Sequence, residues 1–430
     1  MGMAWFGRKK EAPLEVEEVE VAPSLPEPPP LNEAGLRSMQ DHVDYLLGLV
    51  EPLNPFGMGL LEAWDQVLCE DLESLVDVPA HTTALVDGYA VRAADLVDED
   101  NQRVESMQLF DGEGRIPVGA IKHVTVGEKL PPGATAVLPS TFIALEGELA
   151  RVFETVTDGE YVRSAGEHLS AGEPLMRVGE VVGARHIGLL AGAGIDKVFV
   201  RPKPRVVVVG SGEGLVEPGR PVDADQTIDA NSFLIAAAAR AAGARVFHIV
   251  VGSNNHAELA QHVTDQLIRA DLVISTTGGR REDYEAMVQT MSGIGLVDSA
   301  QVAMTPGRTQ TFGLIGEDNI PMIMLPGNPV SAYVSFQAFG WPLIRKLAGA
   351  DPQRKLHRGI ARTGFRSLEG QTHLLRGIVT NESGINRVAQ VSRQHALSEL
   401  AEANVLIVLD EQTAQVRAGE SVYYWKLDED

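Results

Sequence analysis

The chain has 430 residues, 59 acidic against 36 basic side chains for a net charge of −23, 44% hydrophobic residues and a single cysteine, Cys69. A surface of that sign repels phosphate backbones and speaks against nucleic-acid binding, and one thiol excludes an internal disulfide or a cysteine-based metal cluster. No apolar run reaches the roughly 20 residues of a membrane-spanning helix. The first residues also lack the apolar segment of a secretory signal, so the expected location is the cytoplasm.

Residues 1–31 hold six Glu and six Pro. Repelling charge and missing N–H donors predict a disordered, acidic, Pro-rich tail. Asn32 then offers an N-cap for a helix whose apolar positions Leu36, Met39, Val43, Leu46, Leu47 and Val50 recur every three to four residues. From about 57 to 165 short β-type runs alternate with Gly and Pro, which predicts a β-rich domain. The run IGLLAGAGIDKVFVRPKP reads as helix, turn and strand.

Between 204 and 347 strands and helices alternate. RVVVVG leads to a helix capped near Asp229 or Asn231 and stopped by Gly243; RVFHIVV, HAELAQHVTDQLIRA, DLVIST and PMIML continue the pattern. Alternation of this kind predicts a parallel sheet with helices on both faces. Residues 355–430 return to short strands and read as a small barrel or sandwich.

Four glycine-rich turns flank the apolar strands of the α/β segment: Gly210–Gly214, Thr276–Arg281, Thr305–Arg308 and Leu325–Ala332. In an open parallel sheet a ligand lies beyond the carboxyl ends of the strands, where glycines let backbone N–H groups approach an anion. Arg280, Arg281 and Arg308 supply positive charge there. In DGYAVRAAD, Asp87-Gly88 is either a turn between strands or a carboxylate reaching the α/β pocket, and spacing alone leaves both open.

These segments, in this order, resemble the family of the molybdopterin molybdenumtransferase MoeA and the gephyrin E domain over about residues 33–430. The motifs are DGYAVRAAD, AGEHLSAGEPL, GSGEGLVEPG, IDANS, TTGGRREDYE, VAMTPGR and LPGNPVSA. The resemblance implies a multidomain α/β plus β fold in an elongated subunit. A helical linker domain would comprise 33–56 and 170–203, and a β domain 57–169. A three-layer α/β molybdopterin-binding domain would occupy 204–348, followed by a C-terminal β-barrel over 349–430. It also implies a homodimer with the pocket at the subunit junction, molybdopterin as ligand and Mg²⁺ as cofactor.

By the same resemblance Asp87, Glu213, Asp283 and Glu285 take catalytic roles, with Asp87 and Glu285 as metal ligands. Ligand contacts fall to Gly212, Gly278, Gly279 and Arg280, to Arg308, to Pro326, Gly327, Asn328 and Ser331, and to Arg376 and His395 of the barrel. The chain departs from the family pattern at Val126, His168, Gly214 and Thr305, where a hydroxyl, two carboxylates and a lysine are replaced. Hard oxygen ligands hold Mg²⁺, so these losses favour a scaffold with a degenerate insertion site in which Mg²⁺ and molybdopterin are not required. The altered motifs resemble the gephyrin-like branch of actinobacterial homologues. That branch implies a cell-division partner such as the C-terminal peptide of the tubulin-like protein FtsZ, with recruitment to the division site. The peptide would dock near the α/β–barrel junction, where Tyr333, Phe336, Phe339 and Trp341 lie. An active molybdenumtransferase is the alternative.

Overall fold

The computed structural model describes residues 24–393 and 396–427. Most of the expected tail, residues 1–23, lies outside them. Residues 24–31 form neither helix nor strand, with Leu25 against the core and the Pro26 carbonyl accepting from the Tyr45 hydroxyl at 3.4 Å.

Helix α1 spans Met39–Gly48 and starts later than the Asn32 cap predicts. Gly35 adopts φ +72°, which interrupts a right-handed helix, and the Asn32 carboxamide instead closes a turn on the N–H groups of Ala34 and Leu36, both at 3.0 Å. Ser38 is the true cap; its hydroxyl accepts from Asp41 N–H at 3.1 Å. The apolar face of α1 (Met39, Leu46, Val50) joins the core of the α/β domain.

The β domain is a six-stranded sheet ordered Ala136–Pro139, Gly88–Val91, Ala120–Val124, Ser106–Leu109, Leu149–Val152, Ile143–Glu146. A Cβ on Gly88 would clash with the Leu138 carbonyl of the neighbouring strand, so the glycine of the DGYA motif is required by strand pairing. Helix α2, Ala184–Gly192, packs with the antiparallel strand pair Phe56–Gly59/Lys197–Val200 around Leu68, Leu190 and Val200.

Six turns in the β-rich parts share one construction, in which a residue pair is followed by Gly-Glu: 125–128, 157–160, 164–167, 170–173, 177–180 and 417–420. The glycine sits at φ between 73° and 90°, and the glutamate carboxylate returns to accept the N–H of the first turn residue at 2.8–3.0 Å. Three of these turns are clamped again by an aspartate from a different segment: Asp87 on Val126 N–H (2.9 Å), Asp77 on Ala171 N–H (2.9 Å) and Asp71 on Val178 N–H (2.8 Å). A part of the acidic excess therefore holds backbone. A Cβ on Gly179 would meet no atom within 4 Å, so Gly179→Ala tests the left-handed backbone alone. Its expected cost is about 1–2 kcal/mol, read by urea denaturation.

The α/β domain holds a six-stranded sheet ordered Arg245–Val251, Arg205–Ser211, Leu272–Thr277, Ile320–Leu325, Thr309–Ile315, Gly295–Gln301. The first four strands are parallel, but the last two join antiparallel, so the sheet is mixed rather than wholly parallel. Every β-branched residue of Val206–Val209 is buried because helices cover both faces. Helix α3 (Asn231–Ala241) packs on Val206 and Val208, and helices α4 (His256–Leu267) and α5 (Arg281–Ile294) pack on Val207 and Val209. Ala230 stands at the cap position of α3, and Asp229 just ahead of it accepts Ser232 N–H at 3.0 Å, while Asn231 is the first helical residue. Helix α6 (Pro329–Ser335), a π-helical turn (Phe336–Gly340) and helix α7 (Trp341–Leu347) then lead to a closed five-stranded barrel. Its strands run Thr372–Glu382, Ile385–Gln390, His357–Ala361, Ser421–Lys426, Val405–Leu409 and back to the first. Helix α8, Leu397–Glu402, lies beside it. Among the described residues no helix is long and apolar enough to cross a membrane.

Candidate functional site

Beyond the carboxyl ends of the central strands opens a cleft of about 720 Å³, walled by the loop after Leu272–Thr277, the first turns of α5, the antiparallel edge strands and the loop after Ile320–Leu325. Its floor depends on glycine. A Cβ on Gly327 would lie 2.5 Å from Gly279 Cα and 2.7 Å from Gly279 N, so two loops meet backbone to backbone. Asn231 fastens them from behind: its Nδ2 donates to the Thr277 carbonyl at 3.0 Å and the Gly327 carbonyl at 2.6 Å.

Several groups in this cleft are arranged for an anion. Helix α5 begins at Arg281 without a side-chain cap, so its first N–H groups and its dipole face the opening. Arg280 and Arg281 line it. Thr277, 2% exposed, carries a buried Oγ1 with no hydrogen-bond partner. The opposite wall is neutral and hydroxyl-rich: Thr311 Oγ1 lies 2.9 Å from the Tyr284 hydroxyl and 2.8 Å from Ser299 Oγ. Burial raises the Tyr284 pKa, so the phenol stays protonated.

Of the residues singled out in the sequence, Gly279, Arg280, Arg281, Glu285, Pro326 and Gly327 line the cleft. Asp283 is 2% exposed and sits behind it; its carboxylate accepts Asn254 Nδ2 at 2.7 Å and Glu213 N–H at 3.3 Å. Gly212 and Gly278 are bare because a Cβ on either would lie 2.9–3.0 Å from Asp283 Oδ2. Asp283 thus positions the loops. Glu213 and Glu285 face the arginines, at 3.9 Å from Arg280 and 2.7 Å from Arg281. Asn328 caps α6, accepting Val330 and Ser331 N–H at 3.1 Å.

The remaining candidates lie elsewhere in the chain. Asp87 and Val126 form the clamped turn of the β domain, and neither lines the cleft. His168 is exposed in the Gly-Glu turn region. Arg308 is exposed beyond the cis Thr305–Pro306 bond, and Thr305 pairs with His373 of the barrel. Arg376, 1% exposed, is enclosed in the barrel, and His395 lies outside the described residues. Gly214 adopts φ +73°, with a Cβ position 2.9 Å from the Asp225 carbonyl, so the backbone there disfavours the carboxylate the family pattern carries. Thr277, Asn231, Tyr284, Ser299 and Thr311 were not singled out as site residues, although Asn231 was read as a possible helix cap and Thr277 lies in the turn Thr276–Arg281. Asn231 and Tyr284 stood inside the motifs IDANS and REDYE, whereas the edge strands carried no motif.

Among the described residues no three His, Cys, Asp or Glu side chains gather to hold a metal ion. Asp283 is engaged by loop donors and Asp87 holds a turn of the β domain, so among the described residues these two carboxylates do not converge on a cation in this cleft.

An open α/β sheet with a cleft beyond its strand ends, followed by a barrel and preceded by a clamped β domain, defines a multidomain α/β plus β protein. Family profiles agree along the chain: MoeA N-terminal region (domain I and II) over residues 37–194, probable molybdopterin binding domain over 206–346, and MoeA C-terminal region (domain IV) over 358–427. The chain belongs to the MoeA family. It is 33% identical over 419 residues to molybdopterin molybdenumtransferase 1 of Mycobacterium tuberculosis (strain ATCC 25618 / H37Rv), covering 90% of this chain and 98% of that protein. It is 29% identical to molybdopterin molybdenumtransferase 2 of the same strain, over 91% and 100% of the two chains. The molybdopterin biosynthesis MoeA protein of Pyrococcus horikoshii superposes with a TM-score of 0.77 at 21% identity, over 92% and 100%, and shares the fold.

Proposed function

We propose that this chain acts as a molybdopterin molybdenumtransferase, with the cleft receiving the anionic end of adenylylated molybdopterin. The observation that carries this is the gathering of Arg280, Arg281, the uncapped start of α5 and the unpartnered Thr277 hydroxyl in one cleft of a chain with net charge −23. Arg280 and Arg281 would leave Glu213 and Glu285 for the ligand's phosphate oxygens, which bind a guanidinium fork more tightly than an exposed carboxylate does. Thr277 would donate its hydroxyl to the same end. The hydroxyl wall of Tyr284, Ser299 and Thr311 would hydrogen-bond the polar ring system. Asp87 would meet this cleft only from a second copy of the chain, so the reading includes a homodimer whose β domain completes the site. Sedimentation equilibrium is expected to give a dimer at micromolar concentration, and a monomer would count against the shared site.

The test is complementation of a strain lacking the insertase, scored by the activity of a molybdenum-dependent enzyme. Restored activity is expected, and its loss in Arg280→Ala/Arg281→Ala would tie it to the cleft. The double variant should bind molybdopterin about tenfold or more weakly.

A second reading is favoured by the carboxylates. Asp283 is committed to the loops, Glu213 and Glu285 to arginines, and Gly214 has no room for an acid, which leaves the hydrolytic half of the family reaction short of hard ligands. On this reading the dimer is a cytoplasmic scaffold, gephyrin-like, that holds a partner tail such as the FtsZ C-terminal peptide at the division site. Failed complementation together with saturable binding of that peptide would select it, and absence of peptide binding would remove this partner.

A further inference from the structure

Positive charge also collects outside the cleft. Where α7, the connector 349–356 and the barrel strand Ser421–Lys426 meet, a pocket of about 340 Å³ is lined by Arg345, Arg354, Lys355, His357 and Lys426 around Trp341. The acid in this lining, Asp351, is engaged in a turn with Gln353 N–H at 2.9 Å. Several other arginines of this acidic chain sit against carboxylates, as Arg37 does on Asp298, Arg205 on Asp271 and Arg393 on Glu399. Among the described residues Arg345, Arg354 and Lys355 have no such partner. Of the four aromatics expected at this junction, Phe336 and Phe339 are core, while Trp341 faces this pocket and shares the adjoining hollow with Tyr333.

The two arginines are built in. Their guanidinium carbons stand 4.1 Å (Arg354) and 5.6 Å (Arg345) from the centroid of the same Trp341 ring. Arg354 also donates to the Gln337 side-chain oxygen and, at 3.2 Å, to the Lys426 carbonyl. The Nε atoms of both arginines are buried without a partner. The cations disturb one another: burial, with Arg345 adding to it, lowers the Arg354 pKa to about 10, and burial followed by Lys426 and Lys355 lowers that of His357. Crowded like charge of this kind is relieved by an anion.

We propose that this pocket is a second binding site, for a multiply charged oxyanion of the diphosphate class. Rigid guanidinium forks match phosphate oxygens, and Trp341 fixes the planes of both forks before the ligand arrives. Next to it lies a hollow of about 490 Å³ that shares Trp341 and Arg354 and is lined by Leu234, Ala238, Tyr333 and Leu427, which leaves room for an apolar group attached to the phosphate. No residue lines both this pocket and the cleft.

The experiment is calorimetric titration of inorganic pyrophosphate into the full chain at low salt. Three altered proteins accompany it: Arg345→Gln/Lys355→Glu, Arg280→Ala/Arg281→Ala, and a chain ending at residue 427, which lacks the acidic sequence Asp428-Glu429-Asp430. Saturable binding is expected that survives the cleft variant, weakens about tenfold or more in the pocket variant, and falls with added salt. A parallel arm with phosphatidylcholine vesicles carrying a polyphosphoinositide separates a lipid headgroup from a free diphosphate. Capture lost in the pocket variant assigns the lipid as the source, and no capture leaves the soluble ligand. If the double pocket variant does not fold by circular dichroism, Lys355→Glu alone gives the same readout at an exposed position. Absence of binding by the unaltered chain, equal binding by the pocket variant, or loss confined to the cleft variant overturns the proposal. Binding that appears only after removal of residues 428–430 also overturns it, because the occupant is then the chain's own acidic end.

Discussion

Replacing Asp298 with alanine is expected to destabilise the folded chain by about 3–5 kcal/mol, measured by equilibrium urea denaturation at pH 7.5. Arg37, 3% exposed, donates to Asp298 through Nη1 at 2.7 Å and Nη2 at 3.4 Å, and its guanidinium stands 5.2 Å from the Tyr45 ring. Alanine leaves that cation buried without its anion. Arg37→Met/Asp298→Leu removes both charges and should recover most of the loss. The pair joins the entry of α1 to the edge strand Gly295–Gln301, which also walls the cleft, so the single variant should weaken ligand binding as well. His42 completes the cluster at 3.1 Å from Arg37 Nη1. Burial first, then Arg37, lowers its pKa to about 4, against an ordinary 6.5. The folded state favours neutral His42, so this contribution is fully present above pH 6.5 and is lost as pH falls from 6.5 to 4. The loss should reach about 2 kcal/mol by pH 5. His42→Gln should flatten that slope, and an unchanged slope would assign acid sensitivity to other groups.

Gly327→Ala is expected to disable the cleft while the rest of the chain stays folded. The added methyl carbon meets Gly279 Cα at 2.5 Å and Thr277 Oγ1 at 3.1 Å, and backbone cannot swing aside as a side-chain end can. The loops must part, which breaks the Asn231 bridge and displaces Thr277. Molybdopterin affinity, measured by ultrafiltration, should fall about 100-fold, whereas the unfolding free energy from urea denaturation should drop by no more than about 2 kcal/mol. Unchanged affinity would mean that the loops do not form the ligand's seat.

Residues of the motifs TTGGRREDYE and LPGNPVSA line the cleft, and these stretches were visible in the sequence because glycine at a strand end has a local cause that composition records. The barrel was equally legible as short β runs. The mixed sheet was not: TQTFGLI and GLVDSAQ differ little in pattern from parallel strands, and their direction is set by which neighbours they meet. Asn32 looked like a helix cap until Gly35 turned the chain ahead of it, an effect a few residues away that cap preference does not weigh.

Residue type and order determined family, fold class and the positions where the pocket loops run. What each carboxylate does was decided only in three dimensions. Asp87, Asp71 and Asp77 hold turns, Asp283 holds loops from beneath, and Glu285 neutralises an arginine one helical turn away. A carboxylate accepts from a backbone N–H or an arginine as readily as it binds a cation, and its sequence position does not reveal which donor comes within about 3 Å. The same holds for the cations around Trp341, which three separate segments bring together and which no local motif marks.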